Sequence, residues 1–461
     1  MVLAEHYQDR YLCDTKQQLY SRVANVMTEV NDIQELLEAE VFIPAGNTLV
    51  AGTKDIYPNC SILGQLTDQT EPGSVGSVVF QTADQNLESR INLAQKLWSN
   101  GTGVGFDLSG LTEPVKVLKR LSEINDRIDL GHRPKRGNMA VLSSKHPKIK
   151  EFINCKDKGS TIYNFNISVY LEQASDLTPD LLELIAQKAW ETGDPGLINL
   201  EQGRKYGPVL IEDLEPVTTC VPCGEQFMHA FETCNLGSIN LASQYLTTEQ
   251  STNKNIDFKK LESVVRRAVI FLDQVVDKLK FPDPIMKQVS LDCRRIGLGV
   301  MGWADYLEKI NLKYNQPEAL ELARTLSKFI TEIAEDQSRI LARQLGGCKY
   351  NPELRNISLT CIAPTGGIAG LAGLKGYAIE PFFEQALEYT YQEHIDMQLA
   401  WQSGLHNAVS KTINLAFEST VDDIKEVFKY GIENGVKGIT VNRDGSKYGQ
   451  PRPLKCEKCI E

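Results

Sequence analysis

Ile357-Ser358-Leu359-Thr360-Cys361-Ile362-Ala363-Pro364-Thr365-Gly366-Gly367 reads as a buried strand that ends in a glycine turn. Upstream of it, Asn315 can cap a helix with Pro317 in the first turn. Leu322, Leu326, Phe329, Ile333 and Ile340 then keep helical spacing until Gly346-Gly347 stops it. Helix, strand and glycine turn in that order are α/β grammar. Asn86 to Trp98 reads as a further helix, ahead of the glycine cluster Gly101-Thr102-Gly103-Val104-Gly105. Val436 to Val441 reads as a strand before Arg443-Asp444-Gly445.

The chain has 461 residues, enough to bury a large core, with 42% hydrophobic and 24% charged residues. Those proportions are ordinary for a globular enzyme and point neither to disorder nor to a membrane protein. A net charge of −11 argues against a nucleic-acid partner, which needs clustered Lys and Arg. No run approaches 18 apolar residues and Met1-Val2-Leu3-Ala4-Glu5-His6 does not resemble a signal peptide, so a cytoplasmic location without membrane attachment is expected.

Eleven cysteines without a secretion signal do not read as a disulfide framework. Cys13, Cys155, Cys293, Cys348 and Cys361 read as small core hydrophobes. Cys220-Val221-Pro222-Cys223 and Cys456-Glu457-Lys458-Cys459 are CxxC pairs, which admit two readings. They could be the halves of a four-thiolate zinc site, although they lie far apart in sequence and no structural metal is expected. Alternatively, the terminal pair, on its Pro/Gly-rich segment from 447, could exchange thiols with a disulfide elsewhere. Glu225, two residues from Cys223, is either a solvated surface charge or a base beside a thiol. Cys60 and Cys234 complete a set of thiols suited to radical chemistry followed by dithiol reduction. The Pro364 to Ile368 turn could bind phosphate through helix N-terminal amides, or serve only tight packing.

Taken in order, Cys60, Gly103-Val104-Gly105-Phe106, Lys135-Arg136-Gly137-Asn138-Met139, Asn164 to Val169, Thr192 to Gly196, Pro222-Cys223-Gly224-Glu225, Cys234 to Leu241, Arg294 to Gly299, Ala363-Pro364-Thr365-Gly366 and Ser410 to Leu415 resemble the large subunit of ribonucleotide reductase. The likeness is greatest to its adenosylcobalamin-dependent class II. The resemblance implies a ten-stranded α/β barrel over 41–446 with a central finger loop, a small helical N-terminal region over 1–40, and a redox tail over 447–461. It implies Cys223 as the thiyl radical that takes the 3′ hydrogen of a ribonucleotide and Glu225 as the base on the 3′ hydroxyl. Cys60 and Cys234 become the electron donors, and Cys456 and Cys459 the pair that re-reduces them from a thioredoxin or glutaredoxin-like partner. Pro364, Thr365, Gly366, Gly367 and Ile368 become the phosphate site, with Thr48, Asn59 and Gly103 near the nucleoside. Arg136, Gly137 and Asn138 resemble a specificity-effector loop.

The chain departs from the family pattern at three points. Val221 stands where most members carry Asn and has no polar atom for a ribose hydroxyl. Gly366-Gly367-Ile368-Ala369 lacks two hydroxyls of the usual phosphate turn. Gly438 to Arg443 lacks the adjacent tyrosines through which class I enzymes receive a radical from a metal-containing partner subunit. The last point favours adenosylcobalamin over that partner. A regulatory ATP-cone domain is expected to be absent, as in compact phage-encoded versions. Val221 alone favours a third reading, an inactive nucleotide-binding homologue.

Overall fold

In a computed structural model the described residues are 15–68, 87–130, 137–157, 159–205, 214, 216–247 and 255–446. Cys13, Arg136, Cys456 and Cys459 lie outside them, as does the expected redox tail. Helices Lys16–Val26 and Ile33–Glu38 occupy the described part of the expected N-terminal helical region. The first is held by a capping box, in which Thr15 and Gln18 each receive the other's backbone N–H.

Eleven strands follow in chain order: β1 (Phe42–Pro44), β2 (Cys60–Thr67), β3 (Gly103–Gly110), β4 (Asn138–Ser143), β5 (Phe165–Leu171), β6 (Gly196–Asn199), β7 (Thr233–Cys234), β8 (Leu236–Asn240), β9 (Gly297–Met301), β10 (Thr412–Leu415) and β11 (Gly438–Arg443). They form an eight-stranded sheet of order β10-β11-β6-β5-β4-β3-β2-β7 and a three-stranded sheet of order β1-β8-β9. From β2 to β6 neighbouring strands run parallel, and helices such as Leu87–Ser99 and Pro179–Thr192 provide the crossovers. The burial pattern fits, since β3, β4 and β5 are buried along nearly their whole length.

The segment read as a strand at 357–362 is extended but forms no ladder. Leu298 N–H donates to the Leu359 carbonyl, Cys361 N–H to that of Leu298, and Ile362 N–H to that of Ala408. Single bridges, Leu298 with Thr360 and Ile362 with Val409, are all that result. Gly297 and Gly299 permit this approach. A Cβ on Gly297 would stand 2.7 Å from the Cys361 sulfur, and one on Gly299 would run into the Cys361 carbonyl.

The expected long helix is present as Pro317–Leu345, ended by Gly346 at φ 88°. Its cap is Gln316 rather than Asn315, whose amide instead donates to Glu393 at 2.6 Å. It packs on helix Phe258–Lys278, which is capped by Asp257. Ion pairs tie the adjoining turns: Arg294 to buried Asp273 and to the exposed Asp277, and Arg355 to Asp273. No described helix is long and apolar enough to cross a membrane.

Candidate active site

The segment Cys220–Phe227 is a narrow finger. Cys220 and Phe227 bridge in antiparallel fashion, Val221 N–H donates to the Gln226 carbonyl and Gly224 N–H to the Val221 carbonyl, each at 2.9 Å. So tight a tip requires a left-handed residue, supplied by Gly224 at φ 80°. The glycine cluster after helix Leu87–Ser99 serves this finger. A Cβ on Gly103 would lie 3.1 Å from the Pro222 ring, and one on Gly105 would collide with the Cys220 carbonyl. Close approach of protein backbone therefore accounts for Gly105, and in part for Gly103.

Cys223 sits exposed at the tip and Glu225 is 1% exposed. Both line a cavity of about 350 Å³ together with Asn47, Asn59, Cys60, Gly103, Gly137, Ser238 and the turn Ala363–Ile368. Burial pushes the Glu225 carboxyl up from 4.5 to about 7. Its Oε2 is buried with no hydrogen-bond partner among the described residues, while its main-chain carbonyl accepts from Ala408 N–H at 3.0 Å. A carboxyl so placed can take a proton near neutral pH.

Cys60 opens β2 and Cys234 closes β7, directly opposite one another in an antiparallel pair. Their thiols hydrogen-bond, and burial raises the Cys234 thiol above its ordinary range. Only Cys60 lines the cavity; Cys234 lies behind it, fully buried. Opposed cysteines on adjacent strands are positioned to interconvert between dithiol and disulfide.

Val221 does not face the cavity. It is completely buried in a cluster with Ile62, Met228, Cys234, Leu236 and Cys361. Thr48 is buried too and does not line the cavity, whereas its neighbours Asn47 and Val50 do. Asn138 spends its side chain on structure, accepting from Trp98 Nε1 at 2.7 Å and donating to the Asn164 carbonyl at 3.2 Å. Thr365 holds φ 56°, and its hydroxyl accepts from Ala378 N–H at 2.7 Å. The next residues, Gly366–Leu371, are a short helix whose first amides lack partners within the helix.

Among the cysteines read as core, Cys293, Cys348 and Cys361 are buried, while Cys155 is half-buried. No three His, Cys, Asp or Glu side chains converge as a metal site among the described residues. Sequence reading missed Gln226, Asn407 and the pair Glu232–Arg295. Arg295 grips both oxygens of Glu232 at 2.9 Å with both side chains fully buried.

The chain matches the family model "Ribonucleotide reductase, barrel domain" over residues 173–352 and 372–442. It is 30% identical to a vitamin B12-dependent ribonucleoside-diphosphate reductase of Thermoplasma acidophilum, across 91% of this chain and 65% of that protein. A protein of the same description from Mycobacterium tuberculosis is 29% identical, across 88% of this chain and 74% of its own length. The chain thus spans just under two thirds of the first relative's length. Among solved structures, the class Id ribonucleotide reductase alpha subunit of Actinobacillus ureae shares the fold with a TM-score of 0.76. That match has 16% identity and covers 96% of this chain and 97% of the other.

Proposed function

The chain belongs to the ribonucleotide reductase family, and on that premise we propose that it reduces ribonucleotides to 2′-deoxyribonucleotides by thiyl-radical chemistry at the finger tip. The observation that carries this reading is the single cavity shared by Cys223, Glu225, Cys60 and the Pro364–Ile368 turn. A thiyl radical on Cys223 takes the 3′ hydrogen of the ribose, and the Glu225 carboxylate takes the 3′ hydroxyl proton. One of the Cys60 and Cys234 thiols protonates the 2′ hydroxyl, which leaves as water, and the pair delivers hydrogen to the 2′ carbon as it closes to a disulfide. Glu225 then returns its proton to the 3′ oxygen and Cys223 its hydrogen to the 3′ carbon, which restores the thiyl radical. A carboxyl near 7 suits the base role, because it is available at neutral pH yet still holds a proton well.

The phosphate is assigned to the turn at Thr365–Ile368, through backbone amides rather than the hydroxyls usual in the family. Asn59 and Gly103, which line the cavity, fit the nucleoside end. Thr48 acts at most through its neighbour Asn47. The ten-stranded barrel remains our reading of the two sheets: β7 runs into β8 across Asn235, and the bridges at Thr360 and Val409 link β9 toward β10. Counting those linked segments as strands supports closure around the finger.

For the radical source we favour adenosylcobalamin. A donor docking from outside fits the exposed Cys223 and the rim beside it, where, among the described residues, an added Cβ would meet nothing within 4 Å at Gly101 and only Pro222, at 3.5 Å, at Gly137. Gly101, Gly137 and Pro222 would hold it. When bound, that cofactor supplies a radical by cleavage of its carbon–cobalt bond. Around it, the chain's own residues keep the thiol at the tip and shield Glu225 from water. The names of the Thermoplasma and Mycobacterium relatives point the same way.

Incubating the purified chain with ribonucleoside di- and triphosphates, a small dithiol and adenosylcobalamin should give deoxynucleotide. Product only after adding a metal-containing radical subunit would replace the cofactor assignment. No product under either condition, with nucleotide still bound, would leave an inactive homologue. Replacing Cys456 and Cys459 should spare turnover with the small dithiol and abolish it with thioredoxin or glutaredoxin; thioredoxin-driven turnover unchanged by the replacement would remove the tail's role.

A further inference from the structure

The finger is anchored from a part of the chain some 180 residues away, by one fully buried amide. Asn407 Oδ1 accepts from Phe227 N–H at 2.8 Å. Asn407 Nδ2 donates to Gln226 Oε1 at 2.9 Å and to the Phe227 carbonyl at 3.1 Å. Main-chain bonds continue the contact: Ala408 N–H reaches the Glu225 carbonyl at 3.0 Å, and Asn407 N–H reaches the Thr360 carbonyl at 3.0 Å. Gln226 in turn donates from Nε2 to the Cys361 sulfur at 3.2 Å. Lys437 holds the far side, its ammonium donating to the carbonyls of His406 and Asn407 at 3.1 and 2.9 Å.

Both ends of this network lead to the cavity wall, through Glu225 on one side and the segment preceding Ala363 on the other. Phe227, Gln226 and Glu225 form the stem and base of the finger, whereas Thr360 and Cys361 run directly into the turn Ala363–Ile368. A side chain that bonds two consecutive residues on one arm of the stem, and fixes its own backbone to the other wall, determines the register of that arm against the wall. We infer that Asn407 is a positioning residue that sets the separation between the Cys223–Glu225 finger and the Pro364–Ile368 turn. It touches neither the substrate nor the reacting atoms. Its amide is the one side-chain type that can accept from an N–H and donate to two carbonyl-type oxygens within this span, and a buried network of this kind is rigid when every member is satisfied.

The inference rests on the ribonucleotide-reductase reading for its kinetic consequence, but its geometric core is testable without turnover. In Asn407→Ala, hydrogen exchange should rise at least tenfold across 221–228 while the strand at 438–443 keeps its protection. Where the parent chain turns over, kcat should fall about a hundredfold, the scale of a misplaced reacting group, with KM changed less than threefold. Asn407→Asp preserves volume and the acceptor but loses both donated bonds; it should lower kcat about tenfold, again at nearly constant KM, and it serves if the alanine variant does not fold. Asn407→Ala with kcat within twofold of the parent, or exchange rising equally over the whole chain, would overturn the assignment. Absence of turnover in the parent would count against the functional reading alone, and local loss of protection in the finger would still decide the positioning role.

Discussion

Two glutamates seven residues apart, Glu225 and Glu232, are both sealed from solvent and have opposite fates. Arg295 grips both oxygens of Glu232 at 2.9 Å, and His229 N–H adds a bond at 2.7 Å. Among the described residues Glu225 has no cation beside it, and one oxygen stands unbonded at a cavity wall. Burial opposes ionisation in both. The arginine overcomes it in Glu232, whose carboxyl is held below its usual range, while in Glu225 burial wins and the carboxyl rises to about 7. Burial alone therefore marks neither residue as functional; the missing partner at a cavity does.

The same substitution at the two sites should separate them. Glu225→Gln is expected to lower the rate about 10²–10⁴-fold, the usual worth of a general base, while leaving the unfolding midpoint in urea unchanged or higher. Rate loss below tenfold would remove Glu225 from the base role. Glu232→Gln should instead cost about 3–5 kcal/mol of stability, because it strands a buried guanidinium. Loss of less than 1 kcal/mol would mean that Arg295 finds another partner.

The pH dependence of stability should also split. Glu225 binds its proton more tightly folded than unfolded, so its contribution is full below pH about 4.5 and is lost as pH rises toward 7. The loss is about 3 kcal/mol at 1.36 kcal/mol per unit. Glu232, with its folded value lowered, contributes above the unfolded value and loses that contribution as pH falls through the folded one. Urea titrations of the parent and Glu225→Gln from pH 4.5 to 7.5 should therefore converge at the acid end and diverge toward neutrality. Parallel curves would contradict the raised carboxyl. The smallest effect is expected at Val221, where Val221→Asn, restoring the residue type common in the family, buries an amide in an apolar cluster and should cost about 1–3 kcal/mol.

These sites differ in how far the sequence reveals them. Cys223, Glu225, Cys60 and Cys234 were legible because reactive residue types stand in short motifs, and the helix Pro317–Leu345 because its apolar spacing extends over many turns. Asn407 and Arg295 were not. Each looks like an ordinary polar residue until the fold brings Asn407 against the finger stem 180 positions away and Arg295 against Glu232, 63 positions away. Val221 reads as a lost polar contact in the family pattern, which carries no packing information, whereas the structure seats it among Ile62, Cys234 and Leu236. The strand read at 357–362 broke into single bridges because its neighbours meet it one residue at a time, which no local pattern encodes.

The central claim is that Cys60 and Cys234 furnish the electrons for a reaction begun at Cys223. Its most direct test is a single turnover with fully reduced protein in which Cys456 and Cys459 are replaced by serine, supplied with ribonucleotide and adenosylcobalamin but no external reductant. The account predicts close to one deoxynucleotide per chain, with peptide mapping finding the Cys60–Cys234 disulfide in matching amount. Deoxynucleotide formed while Cys60 and Cys234 both remain thiols would contradict it.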